Sequence, residues 1–185
     1  MDNNQLFELM YARIEHLARP EFKDYLRNDG FLTAPASTKY HGAYEGGLFE
    51  HSMAVMDTLV DLTQKNGLVW QRPESPIIVG AFHDLCKCDQ YKKVGGTVLM
   101  LHGEQVSEPN YEYNTDTVLK GHGEKSVMIL SRFMTLTEEE VLCIRYHMGP
   151  YIKEDQEGYD LAIRKYSCVL WVHHADMIAS KVVGI

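Results

Sequence analysis

Six side chains able to hold a cation stand in order along this chain: His51, the adjacent pair His83-Asp84, His122, His147 and Asp176. The His-Asp pair lies inside a nearly all-apolar segment, Ile77-Ile78-Val79-Gly80-Ala81-Phe82-His83-Asp84-Leu85-Cys86. Buried imidazoles and carboxylates are costly unless they are paired or bound to a metal. A divalent cation offsets that cost directly and supplies a Lewis acid for hydrolysis. Imidazole nitrogen together with carboxylate oxygen suits manganese, nickel, cobalt, iron, zinc or magnesium. No cysteine ligand stands nearby, which points to an open catalytic site and away from a closed structural one.

The elements that must position these groups read mostly as helix. Residues 3–18 carry Leu6, Phe7, Met10, Ile14 and Leu17 at helical spacing. Pro20 opens the next turn and Asp29-Gly30 ends it, and the Gly- and Pro-rich residues 31–47 are a loop. A helix over 47–65 places Leu48, His51, Val55, Leu59 and Leu62 on one stripe, so His51 points to the core; Asn66-Gly67 stops it. A short buried helix spans 76–88. Its neighbours His83 and Asp84, about 100° apart, can straddle a cation over the helix. Residues 94–101 form a strand that can pair with Tyr111-Glu112-Tyr113 as an inserted hairpin. Helix resumes over 123–134. Thr137 and Glu140 make a capping box for a helix reaching Met148, which Gly149-Pro150 stops. A last helix over 159–182 puts Val169, Val172, His173 and Asp176 on one face. The expected fold is all-α with a small inserted β-hairpin, a single domain over residues 1–185.

The totals bound the function. The chain has 185 residues, 45% hydrophobic and 24% charged, which is ordinary for a globular domain with a real core. The net charge of -8 argues against a long nucleic-acid duplex as partner, since that wants a basic face. It permits a small phosphorylated substrate, because bound cations invert the local field. Met1-Asp2-Asn3-Asn4 lacks a basic n-region, and no apolar run approaches the ~18 residues of a membrane span. A cytoplasmic location with no membrane partner is expected. The four cysteines, Cys86, Cys88, Cys143 and Cys168, read as reduced thiols. The sequence leaves the oligomeric state open.

The local words around these residues carry a resemblance. His41-Gly42-Ala43-Tyr44-Glu45-Gly46-Gly47-Leu48-Phe49-Glu50-His51 resembles the H-x-A-Y-x-G-G-L-x-E-H stretch of HD domains in bacterial 3′→5′ exoribonucleases. His83-Asp84-Leu85-Cys86-Lys87 resembles the H-D-[IL]-x-K signature of the HD superfamily of metal-dependent phosphohydrolases. Gly121-His122-Gly123-Glu124-Lys125-Ser126 and Arg145-Tyr146-His147-Met148-Gly149 are similar to segments of small stand-alone HD proteins of Firmicutes and their phages.

The resemblance implies the HD helical fold, and a first metal on His51, His83, Asp84 and Asp176. It implies that Asp84 bridges to a second metal held by His122 and His147, and that Lys87 contacts a substrate phosphate. A metal-bound hydroxide would then attack phosphorus in line. The substrate expected is a phosphoester in a small nucleotide or short oligonucleotide. The alternatives are a one-metal nucleoside monophosphate phosphatase and a non-catalytic metal- or nucleotide-binding sensor. One departure stands out: Met148 occupies a place where many two-metal members have a second histidine. The first site is therefore expected to be tight and the second one ligand short.

Other residues have plainer readings beside these. His122, between Gly121 and Gly123, also reads as an exposed loop histidine, and His147 as a cap on a helix C-terminus. His173, one turn before Asp176, is expected to hold a ligand carboxylate without being a ligand itself. His41 either lines the pocket or shapes its loop, and Lys125 is within the class of residues that reach a phosphate. His174 is expected at the surface.

Overall fold

The computed structural model describes residues 1–185 except 102–103 and 153–154; for strand residues 97–101 and 104–108 it describes the backbone alone. The fold is all-α with one two-stranded antiparallel hairpin. The helices are α1 (Asn3–Ala12), α2 (Glu21–Asn28), α3 (Gly47–Asn66), α4 (Ser75–Phe82), α5 (Gly123–Leu130), α6 (Glu138–Arg145), α7 (Gln156–Lys165) and α8 (Cys168–Ile178). The hairpin, β1 (Tyr91–Leu101) and β2 (Glu104–Tyr113), is inserted between α4 and α5. It pairs Tyr91 with Tyr113, and a bulge falls between Val94 and Gly96, where Gly95 takes φ 56°. Among the described residues no helix is long and apolar enough to cross a membrane.

The long helix α3 lies against α4 and α8, and α6 packs on α4, α5 and α8. An aromatic core closes one side: Phe22 meets the edge of Phe82 at 5.1 Å, and Phe31 meets Phe49 at 5.7 Å. Two glycines set how closely the helices that carry the site approach. A Cβ on Gly80 in α4 would lie 2.5 Å from Met56 Cα in α3, so the two backbones nearly touch there. A Cβ on Gly123 would overlap the backbone carbonyls of Ile144 and Arg145, so the start of α5 abuts the end of α6.

Five predicted helices are shorter or broken, each for a visible reason. The first stops at Ala12 and continues only as a 3-10 turn over Glu15–Leu17, after which Ala18 bridges Met134 and the Arg19 N–H donates to the Phe133 carbonyl. The same pairing ends α5 before Met134. The buried helix stops at Phe82 and resumes as a 3-10 turn over Leu85–Cys88, because the Cys86 N–H donates to Ser126 Oγ. The helix after Thr137 has the expected capping box, but ends at Arg145, ahead of Gly149 at φ 61°. The last segment is two helices, parted where Tyr166 turns extended and its hydroxyl is held by Glu138 and Gln71.

Candidate metal centre

The break after Phe82 makes the site. His83 still has helical backbone angles, but Asp84 sits at φ -108°, ψ 21°. Both side chains therefore face the same space instead of straddling a helix. Around them come His51 from α3, His122 at the N-cap of α5, His147 just past α6, and Asp176 from α8.

Asp84 divides its two oxygens between two sets of partners. Oδ2 faces His51 Nε2 at 3.7 Å and His83 Nε2 at 3.4 Å, while Oδ1 faces His122 Nε2 at 3.0 Å and His147 Nε2 at 3.5 Å. Asp176 Oδ1 lies 3.2 Å from His51 Nε2. Three overlapping sets result: His51-His83-Asp84, His83-His147-Asp176 and Asp84-His122-His147, each with its ligand atoms within 4.8 Å of one another.

Three of the rings are held by their other nitrogen. His51 Nδ1 is 2.9 Å from a main-chain oxygen of Ile185, His83 Nδ1 2.9 Å from the Gly80 carbonyl, and His147 Nδ1 2.7 Å from the Ile144 carbonyl. Each of these oxygens accepts, so each neutral ring keeps its proton on Nδ1 and turns a bare Nε2 lone pair inward. Those three Nε2 atoms and Asp84 Oδ1 are buried with no hydrogen-bond partner. Lone pairs facing carboxylate oxygens at 3.2–3.7 Å repel unless a proton or a metal cation lies between them. The arrangement can hold a metal ion.

The protonation tendencies have the same origin. Burial alone would raise the Asp84 carboxyl, but Lys87, His83 and His122 outweigh it and hold it well below the usual range. Asp176 is likewise pulled down against its burial, chiefly by His51. Burial opposes protonation of His147, yet the Asp84 carboxylate overcomes it and the direction is upward. For His122 burial wins and the direction is downward. His41, 5.1 Å from His51 ring to ring, is lowered to about 4, by burial first and by His51 and Lys87 next.

The cluster floors a cavity of about 1090 Å³. Asp84, Lys87, His122 and Asp176 reach it from below, and His41, Tyr91, Tyr113 and Tyr151 wall it. Lys87 is buried, and its ammonium is 2.7 Å from Asp84 Oδ2. His173 lines the same cavity, but its Nδ1 meets the His147 backbone carbonyl at 2.9 Å rather than a ligand carboxylate. Lys125 pairs with Asp89 and lines a smaller neighbouring cavity of about 510 Å³ that shares His122. His174 is exposed, and His102 lies outside the described residues.

Sequence reasoning did not find two features. Cys86, read only as a reduced thiol, has its sulfur 3.3 Å from His122 Nδ1. Tyr91 and Tyr113 stand at the two ends of the hairpin and meet in register at the cavity wall, their rings 5.3 Å apart. Their matching places at either end of the alternating segment were the available signal. No family model, no curated protein and no solved structure matches the chain.

Proposed function

We propose that this protein is a metal-dependent phosphohydrolase of the HD type, acting on a phosphoester in a small nucleotide or short oligonucleotide. One observation carries the reading: the unpartnered, buried Nε2 atoms of His51, His83 and His147 converge on an Asp84 whose oxygens face two separate ligand sets. His51, His83, Asp84 and Asp176 would hold one cation; His122, His147 and the other oxygen of Asp84 would hold a second. A divalent cation there supplies Lewis acidity for a phosphoryl group and lowers the pKa of water.

The chain's own residues supply the rest. Lys87, on the cavity floor, offers a positive charge to a phosphate once its hold on Asp84 is relieved. His41, lowered to about 4, is neutral at physiological pH and can donate an N–H to a substrate oxygen. Tyr91, Tyr113 and Tyr151 present aromatic surface on which a nucleobase can stack. About 1090 Å³ suits a nucleotide or short oligonucleotide, at the upper end of small-molecule pockets.

The test is a screen of purified protein with manganese, nickel, cobalt and magnesium against mononucleotides, cyclic nucleotides and dinucleotides. Phosphodiester turnover that is lost in Asp84→Ala supports the reading; release of phosphate from mononucleotides alone supports a one-metal monophosphatase. That second reading is favoured by His122, whose side chain is 29% exposed and whose ring lacks a carbonyl lock. Metal binding without turnover of any substrate would leave the sensor reading.

A further inference from the structure

Two cavities meet beside the cluster. The larger, of about 1090 Å³, is floored by it; the smaller, of about 510 Å³, adjoins the larger along Gln90, Tyr113, Gly121 and His122. His122 therefore stands at the junction, and Asp84 Oδ1 faces it at 3.0 Å. A phosphoryl group seated over this half of the site has open space on two sides. A monoester fills only one of them, whereas a diester has an arm for each.

The two spaces differ in charge. Among the described residues, four carboxylates line the larger: Asp84, Glu124, Asp155 and Asp176. None lines the smaller, whose charged residues are Lys120 and Lys125, beside the hydroxyls of Thr115 and Thr117. In a chain of net charge -8 this is a local reversal of sign. The Lys125 side chain is 3% exposed and pairs with Asp89, whose own side chain is 56% exposed. A buried ammonium requires an anionic partner. Asp89 can turn out to water, and an anion entering the cavity can then take its place on Lys125.

We propose that the smaller cavity is a second-nucleotide subsite: it takes the arm of a phosphodiester beyond the scissile phosphate, and Lys120 and Lys125 hold a terminal phosphate on that arm. This rests on the phosphoester reading above and narrows its substrate to a dinucleotide or short oligonucleotide that carries a second phosphate. About 510 Å³ lies within the ~300–1,000 Å³ of ligand pockets, so a nucleotide unit fits. Lys125 is three residues past His122, in the first turn of α5, which puts the second phosphate next to the scissile one. Tyr113, 63% exposed and common to both cavities, offers its ring for the base of that arm to stack on.

The probes are diadenosines joined by a methylphosphonate: one unphosphorylated, one with a 5′-terminal phosphate and one with a 3′-terminal phosphate. Their neutral linkage resists hydrolysis and needs no metal, so calorimetric titration is run in EDTA and stands whether or not the metal reading does. In wild type one phosphorylated probe should bind about 10-fold tighter than the unphosphorylated one, the scale of a charge-assisted hydrogen bond. Only this ratio is compared between proteins. Lys120→Ala, at an exposed position that folding does not depend on, should reduce it, and Lys125→Met should abolish it. Asp89→Asn should raise it, because the competitor for Lys125 is gone; a purely structural Lys125–Asp89 pair would not move it upward. A wild type that binds the probes equally or not at all, or a ratio that Lys120→Ala and Lys125→Met both leave intact, overturns the proposal. Inorganic phosphate binding as tightly as the phosphorylated probe would make the cavity a site for free phosphate and overturn it as well. The turnover screen separately decides the phosphoester reading.

Discussion

The Lys87 ammonium lies 2.7 Å from Asp84 Oδ2, the same oxygen that faces His51 and His83. Both residues are buried, so the lysine supplies the positive charge that the carboxylate would otherwise share with a metal. Breaking a buried pair by removing one partner costs about 3–5 kcal/mol, because the other charge is left uncompensated. Metal-free Asp84→Asn should be destabilised by about that amount, and Asp84→Asn with Lys87→Met should recover most of it. Urea denaturation of the three proteins checks this; an Asp84→Asn as stable as wild type would show the pair to be unimportant.

Metal stoichiometry follows from the two faces of Asp84. One equivalent should survive dialysis and a second should exchange readily. His122→Ala and His147→Ala should lower turnover while keeping about one metal, by analogy with the 10–100-fold losses seen around metal sites. Asp84→Ala should lose both. Elemental analysis after dialysis decides it, and full activity in both histidine variants would point to a mononuclear site.

Gly80 sets the spacing between the helices carrying His51 and His83. A methyl group there would lie 2.5 Å from Met56 Cα, so Gly80→Ala must push α3 and α4 apart. Overpacking of this kind costs about 1–3 kcal/mol, and here it should also weaken the first metal equivalent. Calorimetric titration alongside thermal unfolding tests both effects; unaltered affinity in a destabilised protein would separate spacing from ligation.

His41 gives the metal-free protein a pH dependence of known sign. Burial, with His51 and Lys87 nearby, lowers it to about 4 in the folded state, against about 6.5 unfolded. Between those values the unfolded chain binds the extra proton, so stability rises with pH across that window and falls on acidification. His41→Gln should flatten the slope there. Denaturation midpoints at several pH values from about 4 to about 7 measure it; an unchanged slope would mean His41 titrates alike in both states.

The sequence by itself determined which groups could meet and which way most of them face. The apolar stripe of α3 buries His51, the run ending in His83-Asp84 buries that pair, and the face shared with Val169 and Val172 brings Asp176 to the cavity. These are local facts, because helical periodicity turns spacing into direction. The Thr137–Glu140 capping box and the hairpin were legible for the same reason, their partners lying close in sequence. Only the tertiary structure decided the partners. The break at Asp84 depends on Ser126 taking the Cys86 N–H, 40 residues away. The tautomer of His51 depends on a main-chain oxygen 134 residues away, and His122 Nδ1 meets a thiol 36 residues away. His173 found the backbone of His147 in place of a carboxylate, and Lys125 found Asp89. Hydrogen bonds are short and directional, so they are fixed by tenths of an ångström in how helices pack, and no local pattern records that distance.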